Sequence, residues 1–183
     1  FSDKFLALCQ ECRNYGANWA CPPFDFDVSK FLLGYGHACL FGVKVTHSAN
    51  DLSPLDTNEK TKEYVGKIFK DVNAALLKLL HEVEKLFPEG VGVSAGGCGV
   101  CPSCARKDSA PCRIPGTPRH SLESLGFDVG LISDELLGMR LLWMKDSIPE
   151  YHVLVNAFFT KADDAAVGVE IESRLGRLIG CPL

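Results

Sequence analysis

Hydrophobic and polar positions alternate most clearly in two stretches of this chain. Over residues 38–46, Cys39, Phe41, Val43 and Val45 alternate with Ala38, Leu40, Gly42 and Lys44, the two-residue period of a strand with one strongly apolar face. Over residues 151–159, Val153, Val155, Ala157 and Phe159 oppose Leu154, Asn156 and Phe158. Both faces are apolar there, which predicts a central strand. Between them, residues 59–87 carry Val65, Ile68, Phe69, Val72, Leu76, Leu79, Leu80 and Val83 at helical spacing, with Lys and Glu on the other face. This predicts a long covering helix that Pro88 stops.

Weaker signals fill in the rest. Residues 1–27 read as a short helical turn and an irregular, aromatic-rich loop, and residues 51–58 as a polar loop around Pro54. Residues 91–95 form a short β-prone run. A short helix is expected over 120–125, capped by Ser121 with Glu123 and Ser124 in its first turn. A second is expected over 131–143, starting at Ser133 with Asp134 and Glu135 at its positive end, and a helical tail over 172–179. The fold class is therefore α/β: a compact, small mixed sheet covered by a long helix, with cysteine-rich metal-binding loops. A single domain over residues 1–183 is expected, in which 1–27 and 96–119 are irregular ligand segments.

Composition changes this picture only through cysteine. A chain of 183 residues, 46% hydrophobic and 23% charged, is ordinary for a soluble globular protein. A formal charge of −4 gives no reason to expect nucleic acid or an anionic membrane as partner. No apolar run reaches membrane-spanning length. Nine cysteines, however, are too many for background. They cluster as Cys9/Cys12/Cys21 and Cys98/Cys101/Cys104/Cys112, with Cys39 and Cys181 apart. Secreted disulfide scaffolds are usually shorter and less hydrophobic, so the grouping points to metal binding in a reducing compartment, the cytoplasm.

The stretch Gly96-Gly97-Cys98-Gly99-Val100-Cys101-Pro102-Ser103-Cys104, followed by Cys112-Arg113, carries the strongest chemistry. Two-residue gaps let the backbone curl around a cubane with its amides towards the sulfurs. The Cys-x2-Cys-x2-Cys run matches bacterial iron–sulfur ligation, although there the fourth cysteine follows sooner and precedes proline. Tetrahedral zinc is the alternative, since four thiolates satisfy it too. Cys9-x2-Cys12 and Cys21-Pro22-Pro23 supply three more thiolates without an evident fourth, and Tyr15 and Trp19 are placed to screen a centre from water. Cys39 reads first as a core cysteine and second as the missing ligand; Cys181 reads as an incidental thiol or an added ligand. A crossed arrangement, with Cys21 and Cys112 exchanged between the groups, is a further option.

These motifs, with Tyr15-Gly16, Trp19, Pro115 and Arg119-x-Ser121-x-Glu123-x2-Gly126-x-Asp128-Val129, resemble a bacterial and archaeal family described as predicted metal-binding proteins. The resemblance spans nearly the full chain and implies seven metal-ligand candidates, the two cysteine groups. It supplies no substrate.

The expected function is an iron–sulfur protein serving as an electron-transfer or redox module, holding one [4Fe-4S] cluster or two. Three cysteines that leave one iron open would instead suit a redox enzyme, and zinc a structural interaction module. Between Gly96 and His120, Arg106, Lys107, Arg113 and Arg119 against Asp108 give a local +3 in a negative chain. That patch would suit an acidic redox protein or an anionic small molecule. His37, His47, His81, His120 and His152 are scattered and read as structural; His120, after Arg119, is the strongest catalytic candidate among them.

Overall fold

The computed structural model describes residues 2–116, 119–144, 147–161 and 165–179. Three strands, β1 (His37–Thr46), β2 (Val91–Val93) and β3 (Tyr151–Thr160), form one sheet in the order β1-β3-β2. β3 lies antiparallel to both neighbours, from His37↔Thr160 to Thr46↔Tyr151 on one side and from Val91↔Phe159 to Val93↔Ala157 on the other. β3 is the central strand, as its two apolar faces require.

The long helix α4 (Asn58–Leu86) connects β1 to β2, with Thr57 Oγ1 accepting from Lys60 N at its start. β1 and β2 thus run parallel, but β3 is inserted between them, a split β-α-β arrangement. The sheet is antiparallel throughout the described residues, not mixed, because no two parallel strands become neighbours.

The two faces of the sheet bury different partners. On one, Leu76, Leu79, Leu80 and Val83 of α4 meet Phe41, Leu154 and Phe158, with Val167 and Ile171 of α6 (Ala165–Ile179) completing the cluster. Arg174 of α6 ties the two helices by pairing with Glu82 of α4 and with Glu170, the latter at 2.6 Å. Cys39, Val43 and Val45 pack against this cluster, so β1 presents the apolar face expected of it. On the other face, Val93, Val155, Ala157 and Phe159 meet Leu122 and Leu125, with Phe24, Phe31 and Phe127 around them. Irregular chain covers that face.

Several shorter elements differ from expectation. Residues 120–125 form turns and no helix: Ser121 and Ser124 exchange N–H···Oγ bonds of 3.0 and 3.2 Å. The expected 131–143 helix starts earlier and is much shorter. Asp128 Oδ1 accepts from Leu131 N to cap α5 (Val129–Leu131), which passes into a π turn, Ile132–Leu136. Gly138, at φ +63°, takes the chain out of helix, and Ser133 is buried against the Met139 carbonyl. The tail is helical from Ala165 onward. Three further helices are α1 (Asp3–Leu8), α2 (Val28–Leu33) and α3 (Ala49–Leu52); Asp27 caps α2, and a Ser48/Asp51 capping box starts α3. Cys181 and Pro118 lie outside the described residues.

Candidate metal centre

β2 ends in the ligand loop. Gly96 takes φ +70°, and Gly97 lies flat against the N-terminal loop, where an added Cβ would sit 3.4 Å from both Asn14 Nδ2 and Asn18 Nδ2 and 3.9 Å from Cys21 Sγ. The paired glycines therefore serve close approach of two cysteine segments at the sheet edge.

Residues 18–23 dock on the central loop through a dense set of bonds. Asn18 Nδ2 donates to Cys98 O (3.2 Å) and Trp19 Nε1 to Ala110 O (3.0 Å). Arg106 reaches in the opposite direction: its guanidinium donates to the carbonyls of Asn18 (3.0 Å), Cys21 (2.6 Å) and Pro23, and lies 4.8 Å from the Trp19 ring centre. Replacing Arg106 by alanine leaves the Cys21 and Pro23 carbonyls without their protein donor, while Asn18 O keeps Cys21 N, and the variant is expected to lose about 2–3 kcal/mol in urea unfolding. Arg106→Lys should recover less than half, because an ammonium cannot fork across three acceptors. Full recovery by lysine would show that charge alone holds the loops together.

Cys98, Cys101, Cys104 and Cys112 line one small cleft together with Asn18, Trp19 and Arg113. Cys112 stands with the central group there, as in the uncrossed arrangement. Trp19 N donates to Cys104 Sγ at 3.4 Å. Among the described residues, no backbone N–H from Gly96 to Cys104 is bonded to another protein group. Such a run of unpaired amides beside thiols suits a negatively charged centre.

Cys9, Cys12 and Cys21 form the second group. Burial pushes the Cys21 thiol up to about 11, helped by the neighbouring Cys12 and Cys9 and opposed by Arg106, with Cys104 adding to the rise. Burial also raises Cys9, followed by Cys12 and Glu123. All three N-terminal thiols are thus mutual neighbours, and Cys21 lies near enough to the central group to feel Cys104. Cys9 Sγ–H points to the Glu123 carbonyl at 3.8 Å. Cys39 packs in the core on β1, and burial alone raises its thiol, so it belongs to neither group.

The donor set fits a thiolate-bound centre in chemistry: soft sulfur ligands, an amide on sulfur, and an aromatic wall at Trp19. Among the described residues, no three His, Cys, Asp or Glu side chains close on one point tightly enough for a single ion. Tyr15 is exposed in a groove with Leu6, Pro22 and Phe24, so Trp19 alone of the two aromatics faces the thiols.

Two expectations about charge and histidine change. The cations of residues 96–119 are mostly committed within the protein: Arg106 clamps the N-terminal loop, Arg113 Nη1 donates to Ser103 O (2.6 Å), and Arg119 is buried on Glu84. Lys107 is exposed. His120 donates from Nδ1 to Ala20 O (3.0 Å) and is boxed by Phe24, Phe26 and Phe31. Burial lowers its pKa, and it acts as a prop for the loop. His47 and His152, which look unrelated in the sequence, come together with Nε2···Nδ1 at 2.7 Å.

Fold and site together define an α/β protein whose thiols gather in two apposed loops at one sheet edge. Residues 1–155 match the family described as predicted metal-binding protein (DUF2284), and the chain belongs to that family. Neither the curated proteins nor the solved structures compared with it include a match. No described helix is long and apolar enough to cross a membrane.

Proposed function

We propose that this metal-binding protein is a cytoplasmic iron–sulfur protein that works as an electron-transfer or redox module. Cys98, Cys101, Cys104 and Cys112 would hold one [4Fe-4S] cluster, and Cys9, Cys12 and Cys21 a second centre. The observation that carries this reading is that four cysteines line one cleft, with Trp19 N donating to the sulfur of one of them, Cys104. A bound cluster would supply one-electron transfer at a potential set by its charge, hydrogen bonding and solvent exposure. The chain's own contribution is to orient the thiols, donate from Trp19 N to Cys104 Sγ, and cover that side with the indole. An acidic redox protein or anionic small molecule would approach over Lys107 and Arg113, a smaller cationic rim than the sequence suggests.

The test is composition. Protein purified without oxygen should be brown, with visible charge-transfer absorption and iron and acid-labile sulfide in equal amounts. Stoichiometric zinc in colourless, anaerobically handled protein would instead establish the structural zinc reading and overturn this one. A second reading, a redox enzyme with an open iron, is favoured by one feature: Glu123, beside Cys9, also lines a large cavity.

A further inference from the structure

β2 is only three residues long and pairs with β3 from Phe159 to Ala157. The remainder of β3 has no strand on that side among the described residues. A cavity of ≈ 390 Å³ occupies the gap, between α4, Gly96, β3 and the segment 141–144. Phe69, Leu141, Trp143, Met144 and Val155 make its walls apolar. Among the described residues, Glu123 is the one charged side chain on its lining, and Asn73 and His152 are the neutral polar ones. Asn73 Nδ2 donates to Ala95 O (2.9 Å), while its Oδ1 is buried without a described partner.

His152 is 8% exposed and heads a chain of polar groups. Its Nδ1 lies 2.7 Å from His47 Nε2, and His47 Nδ1 lies 3.1 Å from Tyr64 Oη. Phe69 packs edge-on against the His152 ring. Burial lowers both imidazoles below the usual histidine range, and the His47 charge lowers His152 further. Asp51, which opposes the shift at His47, is the carboxylate facing that end. Two neutral rings in contact share one hydrogen between them. If Tyr64 donates to His47 Nδ1, then His47 Nε2–H donates to His152 Nδ1, and His152 Nε2 must carry a hydrogen. If the chain runs the other way, the same Nε2 is a bare acceptor. Either way, Nε2 is the ring nitrogen that His47 does not use, His152 lines the cavity, and Nε2 can switch role by passing a proton along the chain.

We propose that this cavity binds a small, neutral, largely apolar molecule carrying one hydroxyl or carbonyl group, hydrogen-bonded to His152 Nε2 and able to exchange a proton through His47 and Tyr64. The apolar lining gives an ion few partners to replace its water, and Glu123 on the lining disfavours anions. The inference does not depend on which metal the cysteines hold.

The experiment uses the full chain with para-fluorophenol as probe, read by fluorine NMR and by the imidazole nitrogen spectrum. Saturable fluorine shifts with a change at the His152 nitrogens are expected. His152→Phe should weaken binding about tenfold, the worth of one hydrogen bond. Leu141→Trp, which fills the cavity and leaves the histidines alone, should abolish the shift. No saturable shift in the wild type, or one that survives Leu141→Trp, overturns the cavity as a site. Binding as tight in His152→Phe as in the wild type, or an imidazole spectrum left unmoved, overturns the role of His152. Metal content read on the same samples separates this result from the fate of the iron–sulfur reading.

Discussion

Serine at Cys98 is expected to remove one metal centre, lowering iron and acid-labile sulfide by about four atoms each per chain if the centre is a cubane. A serine hydroxyl is a hard ligand that stays protonated at neutral pH, so it replaces a soft thiolate poorly. Cys98 opens the central loop and shares its cleft with Cys101, Cys104 and Cys112, so losing one wall of that cleft should empty it. Cys101→Ser should behave the same way. Two companion variants locate the effect. Cys12→Ser lies in the N-terminal group, and it should remove the second centre while the absorption of the first persists. Cys39→Ser lies in the core on β1, and it should leave metal content unchanged at a stability cost of about 1 kcal/mol for the half-buried hydroxyl. Unchanged iron and sulfide in Cys98→Ser would end the ligand assignment. Equal loss of metal in Cys39→Ser would show that folding, and not ligation, is being measured.

What the sequence revealed and concealed follows from the range of the forces involved. The β1 face, the α4 stripe and the two-sided β3 are local periodicities, and each was legible within a residue or two. The order β1-β3-β2 was not, because it depends on β3 returning between strands fixed some 60 residues or more before it in the chain. Cysteine spacing identified the thiol groups, but nothing in the spacing says that Cys21 should lie near Cys104. The approach of the two loops depends on Asn18, Trp19 and Arg106 bonding mostly to main-chain atoms, which have no sequence signature. For the same reason Arg106 reads as part of a partner-seeking patch until its carbonyl acceptors are known. His47 and His152 lie far apart in the sequence, and only the β1–β3 register, Val45↔His152, brings them side by side. The helix expected over 131–143 failed on a boundary: Asp128 caps earlier than Ser133, and Gly138 ends the run.

Glu84→Ala is expected to be strongly destabilising, at about 3–5 kcal/mol. Glu84 sits near the end of α4 and does two things at once. Its Oε1 accepts from Gly92 N at 2.8 Å, holding β2 to the helix, and its Oε2 pairs with Arg119, whose side chain is 5% exposed. A guanidinium cannot shed its proton, so removing the carboxylate strands a cation in the interior with His81 Nδ1, 3.4 Å away, as its other neighbour. The damage should reach the thiols, because Arg119 directly precedes His120, whose ring props Ala20 between Trp19 and Cys21. Glu84→Gln keeps an oxygen for Gly92 N and should lose less. The decisive comparison is Arg119→Met combined with Glu84→Ala: if an unpaired buried charge is the cause, the double variant unfolds at higher urea than Glu84→Ala alone. A double variant no more stable than the single would mean that the Gly92 bond, and not the ion pair, fastens the ligand segment to α4.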